Sequence, residues 1–277
     1  MDYRILGRTG LKAAEVSCGT YRSFDVPGAA GAAQVLALMQ ANLDQGANLF
    51  DSAPMYGRSE ANIGQALASG RLDARGPSVL IATKVLQHDL SGAKAQIENS
   101  LRVIGGRVDL LQIHNMAGWK EILPYLAELK AQGKIRAAGV THYDPGAFGA
   151  IEQAMRTGLA DVIQIPYNLM ERQAEQRLLP LARELNLGVL VMTPISPIFR
   201  RQALLETLRG EDPAAYRAFG VSDAGSLCLK YLLSKAPDVV LLPATSRPER
   251  VRSNAAVSGT PPLPPDLIRR LESRAAG

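Results

Sequence analysis

The sequence predicts an α/β protein of the (β/α)8 TIM-barrel class, preceded by an N-terminal β-hairpin. Strand-like and helix-like segments alternate eight times along the 277 residues, and eight is the number of parallel strands that closes into a barrel. The strand-like runs are apolar throughout, as expected of parallel strands covered on both faces. A doubly wound open sheet is the alternative, but Cys18-Gly19-Thr20-Tyr21 lacks the glycine-rich turn that usually follows its first strand.

The predicted elements follow one another without a linker. Residues 3–12 alternate between apolar and polar types and turn at residues 7–10, which predicts the hairpin. A segment of helical period follows each strand, and the one long insertion is residues 196–221. We therefore expect a single domain over residues 1–277. The strands are predicted at Glu15–Gly19, Leu49–Asp51, Val79–Lys84, Leu110–His114, Ile135–Val140, Val162–Pro166, Gly188–Met192 and Val239–Pro243.

Composition narrows the class of protein. The net charge of +5 is spread along the chain without a dense basic run or an aromatic platform, so the sequence predicts no nucleic-acid partner. Cys18 and Cys228 lie in separate apolar stretches, which favours buried thiols in a reducing compartment over a disulfide. The chain start has no export pattern, and no run reaches the roughly 20 apolar residues of a membrane span. We therefore expect a cytoplasmic protein.

Three predicted strands end in polar residues of different chemistry. Asp51, Lys84 and His114 end consecutive strands, and Tyr56 follows Asp51 by five positions in the next loop. Strand ends of one barrel meet at one mouth. An ammonium beside a phenol favours the phenolate and lowers a pKa of about 10, and a carboxylate balances a buried ammonium. Each residue could instead be a helix cap, surface charge or core side chain, but together they predict proton transfer to a carbonyl oxygen.

The segments that carry these residues resemble the motifs of a known family. Asn48–Glu60 resembles the aldo-keto reductase signature, and Ile81–Lys84 and Leu110–His114 fall where that family places its other catalytic residues. The resemblance covers essentially the whole chain. It implies an NAD(P)H-dependent oxidoreductase that reduces an aldehyde or ketone to an alcohol, with hydride from nicotinamide C4 of NADPH. The implied catalytic residues are Asp51, Tyr56 as the general acid, Lys84 and His114.

The resemblance also implies a cofactor site. Residues 240–254 resemble the family's last strand, loop and helix, where amides at a helix start and an arginine hold the adenosine phosphates. Arg250, with Arg247 near it, favours NADPH over NADH, and a solvated basic helix is the alternative. The implied cofactor-binding residues are Gly19, Thr20, Tyr21, Asp51, Thr141, Gln164, Thr193, Ala244, Thr245, Ser246, Arg250 and Asn254.

Two departures from the family pattern affect the cofactor site. Thr141-His142 stands where the family usually has Ser-Asn, and residues 191–195 offer no aromatic ring to the nicotinamide. Met192 is the candidate to replace that ring by softer packing. The candidate substrate contacts are Tyr56, His114 and Trp119, the last being either a pocket wall or a cap over the barrel edge. Arg200 and Arg201 could meet an anionic substrate or be solvated.

Two other functional classes fit parts of the sequence. A catalytically weak nicotinamide-binding regulatory or ancillary subunit would have the same fold, although an intact set of four polar residues argues against it. Lys84 alone could suggest an aldolase, but the chain has only three histidines and no ligand cluster, so we expect no metal. The sequence predicts neither the physiological substrate, nor the reaction direction, nor the oligomeric state.

Overall fold

The computed structural model describes residues 1–74, 76–196 and 201–275. It contains a two-stranded antiparallel hairpin and an eight-stranded parallel sheet with helices around it, which confirms the predicted fold class. Among the described residues, no helix has the length and apolar character needed to cross a bilayer.

The strands and helices have the following bounds. The hairpin consists of β1 (Tyr3–Ile5) and β2 (Lys12–Ala14), and the barrel of β3 (Cys18–Gly19), β4 (Leu49–Asp51), β5 (Leu80–Val85), β6 (Leu110–Ile113), β7 (Ala137–Thr141), β8 (Val162–Pro166), β9 (Gly188–Met192) and β10 (Val239–Leu241). The helices are α1 (Gly28–Asp44), α2 (Ser59–Ala68), α3 (Leu90–Ile104), α4 (Trp119–Ala131), α5 (Phe148–Arg156), α6 (Leu178–Glu184), α7 (Arg201–Thr207), α8 (Ala224–Lys235), α9 (Pro248–Ala255) and α10 (Pro265–Ala275).

The barrel closes between its first and last strands. Ladder pairing runs in chain order from β3 to β10, and β3 is shorter than the predicted strand over residues 15–19. The residues before β3 nevertheless complete the ring, since Leu241 N donates to Glu15 O at 2.8 Å and Ser17 N donates to Leu241 O at 2.9 Å. Gly19 N also donates to Pro243 O at 3.1 Å. The first predicted strand is thus a closing segment held by isolated bridges.

The hairpin plugs the N-terminal end of the barrel. Leu6 and Leu11 are buried in the apolar cluster that fills the barrel interior, together with Leu49, Leu80 and other strand residues. Gly7 has a φ of +51° at this contact, and a Cβ there would lie 2.4 Å from Gly188 N. Only glycine allows this close approach. Because the N-terminal end is closed, the C-terminal mouth is left for a ligand.

The insertion before α8 is anchored to the C-terminal helix. It contains α7 and a 3-10 segment over residues 213–219. Glu211 pairs with Arg270 of α10 at 2.7 Å and with Arg274 at 3.1 Å. Leu204 of α7 lines the cleft at the mouth, so α10 holds one wall of that cleft in place.

Candidate active site

A cleft of about 830 Å3 opens at the C-terminal mouth of the barrel. Its walls come from the ends of strands β3, β4, β8 and β9, from the loops that follow the strands, and from α8 and α9. Strand ends converge here because all eight barrel strands are parallel.

A buried ion pair lies at the floor of the cleft. Lys84 Nζ lies 2.7 Å from Asp51 Oδ2 and donates to Ser52 O at 2.8 Å. Gln112 Nε2 donates to the other carboxylate oxygen, Asp51 Oδ1, at 3.1 Å. Burial lowers the pKa of Lys84, but Asp51 and Tyr56 raise it more, so the net pKa is above its ordinary value. The ammonium therefore stays charged although Lys84 is only 1% exposed.

The Tyr56 ring lies above this ion pair. Its centroid is 5.0 Å from Lys84 Nζ. Burial raises the pKa of Tyr56 and Asp51 adds to this, while Lys84 lowers it, with a net pKa above the ordinary value. Lys84 lowers the pKa of Tyr56 as expected, but burial raises it more, so the expected net lowering is wrong. The phenol is protonated at neutral pH and can act as a donor.

His114 faces Tyr56 across the site. The two ring centroids are 6.1 Å apart, with the rings edge-on at 84°. The predicted strand ends one residue early, since His114 begins a 3-10 turn whose next two residues, Asn115 and Met116, have φ of +52° and +56°. Burial lowers the pKa of His114 to about 4, and Lys84 and His142 contribute in the same direction. The imidazole is therefore neutral and has one N–H to donate.

Unpartnered polar atoms cluster at this end of the barrel. Among the described residues, the buried side-chain atoms without a hydrogen-bond partner are Gln112 Oε1, His114 Nδ1, Gln164 Nε2 and Thr193 Oγ1. Such atoms each cost about 1–3 kcal/mol unless a ligand or water satisfies them. Thr193 also has a φ of +50°, which is strained for a β-branched residue. These observations indicate a ligand site at the ends of β6, β8 and β9.

Most of the predicted cofactor-binding residues line the cleft. They are Gly19, Thr20, Tyr21, Asp51, Gln164, Thr193, Ala244, Thr245, Arg250 and Asn254. Ser246 is exposed and does not line it. Thr141 does not line it either, because this residue is fully buried and its hydroxyl donates to Gln164 Oε1 at 3.3 Å. Thr141 thus helps to orient the Gln164 side chain, which does line the cleft.

Trp119 was predicted as either a pocket wall or a cap over the barrel edge, and it does not line the cleft. It begins α4 and packs partly buried against the core. The physical reason is the turn at Gly118, where φ is +56° and a Cβ would lie 2.8 Å from His88 O. This turn fixes the start of α4 against the loop after β5.

The predicted contacts of Arg200 and Arg201 with an anionic substrate lie outside what the structure describes. Arg200 is outside the described residues, and so is the side chain of Arg201.

Sequence reasoning missed several residues of the cleft. Met55, Asn115, Tyr143, Asp223 and Ser253 line it without having been predicted. Met55 and Tyr143 could have been found from the sequence, because each is a large apolar or aromatic residue in a loop that follows a strand. Such loops usually carry polar residues that face solvent.

The sequence also gave a signal for Gln112. This residue precedes His114 by two positions in the predicted strand, and residues two apart share a strand face. Its contact with Asp51 was missed.

The first turn of α9 places a cation on the cleft wall. Arg250 lies exposed there, next to Glu249, and lines the cleft. Two amides of this turn are already paired, since Arg250 N and Val251 N donate to Arg247 O at 3.0 and 3.2 Å. The guanidinium of Arg250 is therefore the group at this helix start that favours phosphate.

Comparisons with known proteins indicate the family of this chain. A family model described as the aldo/keto reductase family matches residues 15–276. Aldo-keto reductase YhdN of Bacillus subtilis is 32% identical over 206 residues, which cover 66% of this chain and 59% of YhdN, so less than two thirds of that relative is matched. The NADH-specific methylglyoxal reductase of Escherichia coli is 27% identical over 263 residues, covering 76% of this chain and 78% of the relative.

A solved structure shares the fold. The aldo-keto reductase from Klebsiella pneumoniae in complex with NADPH superposes with a TM-score of 0.79 at 24% identity. The superposition covers 98% of this chain and 94% of that chain.

Proposed function

Because the chain belongs to the aldo/keto reductase family, we propose that it reduces an aldehyde or ketone to the corresponding alcohol with NADPH as the reductant. One observation carries the proposal. Tyr56, a phenol with a raised pKa, lies next to both the buried Lys84–Asp51 pair and the His114 imidazole, whose pKa is lowered, at an open cleft. We propose that residues 1–277 act as one domain in this reaction.

In the proposed mechanism, Tyr56 is the general acid. Its phenol gives a proton to the carbonyl oxygen of the substrate, and negative charge then develops on the phenol oxygen. The Lys84 ammonium stabilises that charge from below, while Asp51 at 2.7 Å keeps the ammonium charged and oriented. NADPH, when bound, supplies the hydride from nicotinamide C4 to the carbonyl carbon.

His114 orients the substrate in this proposal. Its low pKa of about 4 keeps it neutral at physiological pH. A neutral imidazole donates one hydrogen bond to the carbonyl oxygen and does not place a second positive charge next to Lys84. His114 would therefore donate a hydrogen bond to the substrate, and the Tyr56 phenol would donate the proton.

Residues of the cleft fit the nicotinamide end of the cofactor. Gln164 Nε2 and Thr193 Oγ1 are buried without a hydrogen-bond partner in the described part of the chain, and they suit the carbonyl and amide groups of a carboxamide. The Thr141 hydroxyl donates to Gln164 Oε1, so Thr141 would orient Gln164 without contacting the cofactor itself. Met192 lines the cleft and would pack against the ring face to which residues 191–195 offer no aromatic side chain.

Residues around α9 fit the adenosine end. Arg250 and Asn254 line the cleft, and Arg250 would bind the phosphate that distinguishes NADPH from NADH. The E. coli relative is named as NADH-specific, so family membership alone does not decide the preference. The proposal for NADPH rests on Arg250.

The rim of the cleft suits a carbonyl compound that carries an aromatic or extended apolar group. Tyr21, Met55 and Tyr143 are 50%, 57% and 49% exposed, and all three line the cleft. Large apolar side chains exposed around a concave site favour apolar ligands. The Tyr21 ring also lies 5.0 Å from the Tyr56 ring, so this surface continues to the proposed acid.

The test follows NADPH absorbance with a panel of aldehydes, diketones and sugars, for the parent and for Tyr56→Phe. We expect turnover with at least one carbonyl compound and a loss of several orders of magnitude in the variant, since only the phenol hydroxyl is removed. Equal activity in the variant would reject Tyr56 as the acid. NADPH binding without turnover in the parent would favour the catalytically weak nicotinamide-binding subunit.

A further inference from the structure

Gln112 is a buried amide next to the proposed proton-transfer site. It lies on β6 and is 0% exposed. The parallel register pairs it with Lys84 on β5 and with Gly139 on β7. Its side chain therefore sits in the barrel at the level of the Lys84–Asp51 pair.

The amide of Gln112 binds the carboxylate oxygen that Lys84 does not. Gln112 Nε2 donates to Asp51 Oδ1 at 3.1 Å, while Lys84 Nζ donates to Asp51 Oδ2 at 2.7 Å. An ionised carboxylate only accepts hydrogen bonds, so the NH2 group of the amide must face it. A bond of this kind is charge-assisted and directional. Asp51 is thus held at both oxygens.

Stability alone does not explain a glutamine at this position. Gln112 Oε1 has no partner among the described residues, and a buried unpaired acceptor is less favourable than an apolar side chain of the same size. A Cβ on Gly139 of the neighbouring strand would lie 2.9 Å from Gln112 Cγ and 2.9 Å from Val162 O, so Gln112 packs directly against the backbone of β7. The barrel therefore keeps, in a tightly packed place, an amide whose acceptor is unpaired among the described residues.

We infer that Gln112 is a positioning residue for the proposed proton transfer. It fixes the rotation of the Asp51 carboxylate, so that the other oxygen holds the Lys84 ammonium beneath Tyr56. Without the amide, the carboxylate can rotate and the ammonium follows it. The charge that develops on the phenol oxygen then meets a cation that is no longer preorganised. This inference rests on the proposed function.

The first test replaces Gln112 by methionine, which keeps the length and removes the donor. We expect kcat to fall by about tenfold or more, KM for NADPH to stay within about threefold, and the isotope effect with C4-deuterated NADPH to rise as chemistry becomes slower. Asn42→Leu is the control, since it removes a buried amide that bonds only within α1. It should lower the urea midpoint and leave kcat and the isotope effect unchanged. A kcat of Gln112→Met within twofold of the parent overturns the inference.

A second variant, Gln112→Glu, is isosteric and keeps the inference testable if the methionine variant does not fold. At pH 8 the introduced carboxylate repels Asp51, and kcat should be low. Toward pH 6 the introduced carboxyl group takes up a proton and again offers a donor to Asp51, so kcat should recover relative to the parent. A pH profile parallel to that of the parent contradicts the positioning role.

A third measurement needs neither cofactor nor activity. Urea unfolding of Gln112→Met, Asp51→Asn and the double variant forms a double-mutant cycle. The shift in midpoint caused by Gln112→Met should be at least halved in the Asp51→Asn background. Additive shifts overturn the inference. If the parent shows no carbonyl reduction, the proposed function fails, and the cycle still decides whether the amide is coupled to Asp51.

Discussion

Two lysine–aspartate pairs with the same 2.7 Å N–O distance lie at opposite ends of the barrel. At the mouth, Lys84 binds Asp51, and at the plugged end Lys130 of α4 binds Asp161, just before β8. Asp161 also accepts from Arg8 Nε at 3.1 Å and from Ala138 N at 3.1 Å. Its pair ties the hairpin, α4 and β7 together and belongs to the fold.

The pair at the mouth has different surroundings. Among the described residues, two buried atoms near this pair lack partners, Gln112 Oε1 on β6 and His114 Nδ1 in the turn that follows β6. The Lys84 side chain is 1% exposed, whereas that of Lys130 is 39% exposed. The same lysine–aspartate distance thus occurs in two different settings. Where all acceptors are filled the ion pair holds elements together, and where nearby polar atoms stay unpaired the site is arranged for a ligand.

Removing each ammonium in turn should separate the roles of the two ion pairs most clearly. We expect Lys84→Met to lower kcat for carbonyl reduction by about three orders of magnitude, because the phenolate that forms on Tyr56 loses its cation. Lys130→Met is the matched control and should leave kcat per folded molecule unchanged. Steady-state kinetics with far-UV circular dichroism would measure both. Similar losses in the two variants would mean that the pairs do not differ in role.

Removing the carboxylate at the plugged end should affect stability alone. We expect Asp161→Ala to reduce the free energy of unfolding by about 3 kcal/mol, since Lys130, Arg8 and the Ala138 amide lose their shared acceptor. Urea unfolding would measure the loss. A variant with parent stability, or one with normal stability and low kcat, would contradict the structural role.

The cation on the cleft wall should affect only one cofactor. We expect Arg250→Ala to weaken NADPH binding by about tenfold or more, since a charge-assisted bond to phosphate is lost, and to change NADH binding little. Fluorescence titration with both cofactors would test this. Equal losses for NADPH and NADH would reject the phosphate assignment.

The smallest effect concerns the stability of the mouth at acidic pH. The pKa of His114 is about 4 in the folded protein and about 6.5 when unfolded, so the unfolded state takes up the proton first. The contribution of His114 to stability is complete above pH 6.5 and is lost as the pH falls toward 4. We expect the parent to lose on the order of 1 kcal/mol more than His114→Gln between pH 7 and 5.

Urea midpoints at the two pH values would measure this difference. An identical pH dependence of the parent and His114→Gln would show that the imidazole is not buried as a neutral group.

Much of the barrel could be predicted from the sequence because its strands are local apolar runs with polar ends. The strands at residues 49–51, 162–166 and 188–192 have the predicted bounds, and Asp51 ends its strand as expected. The first strand was predicted too long, since its pairing depends on Leu241, more than two hundred residues away. Pairing over such a distance leaves no local pattern.

The candidate site divides in the same way. The residue types and spacing of Asp51, Tyr56, Lys84 and His114 indicated proton transfer, and their catalytic roles stay predictions. The direction in which the pKa of Tyr56 shifts could not be predicted from the sequence. Burial raises this pKa and the Lys84 ammonium, 5.0 Å from the ring centroid, lowers it, and the balance depends on the tertiary structure. The places of Thr141 and Trp119 were also beyond local reasoning, since each depends on a neighbour on another element.

The order of apolar runs and polar strand ends was by itself enough to determine the parallel barrel, its hairpin and the end at which we propose that a ligand binds. Only the tertiary structure decided which polar atoms are paired and which are not. A hydrogen bond between strands requires two atoms to lie about 3 Å apart. When the strands are far apart in the chain, local sequence patterns do not predict this distance. The contact of Gln112 with Asp51 is of this kind, as is the contrast between the two lysine–aspartate pairs.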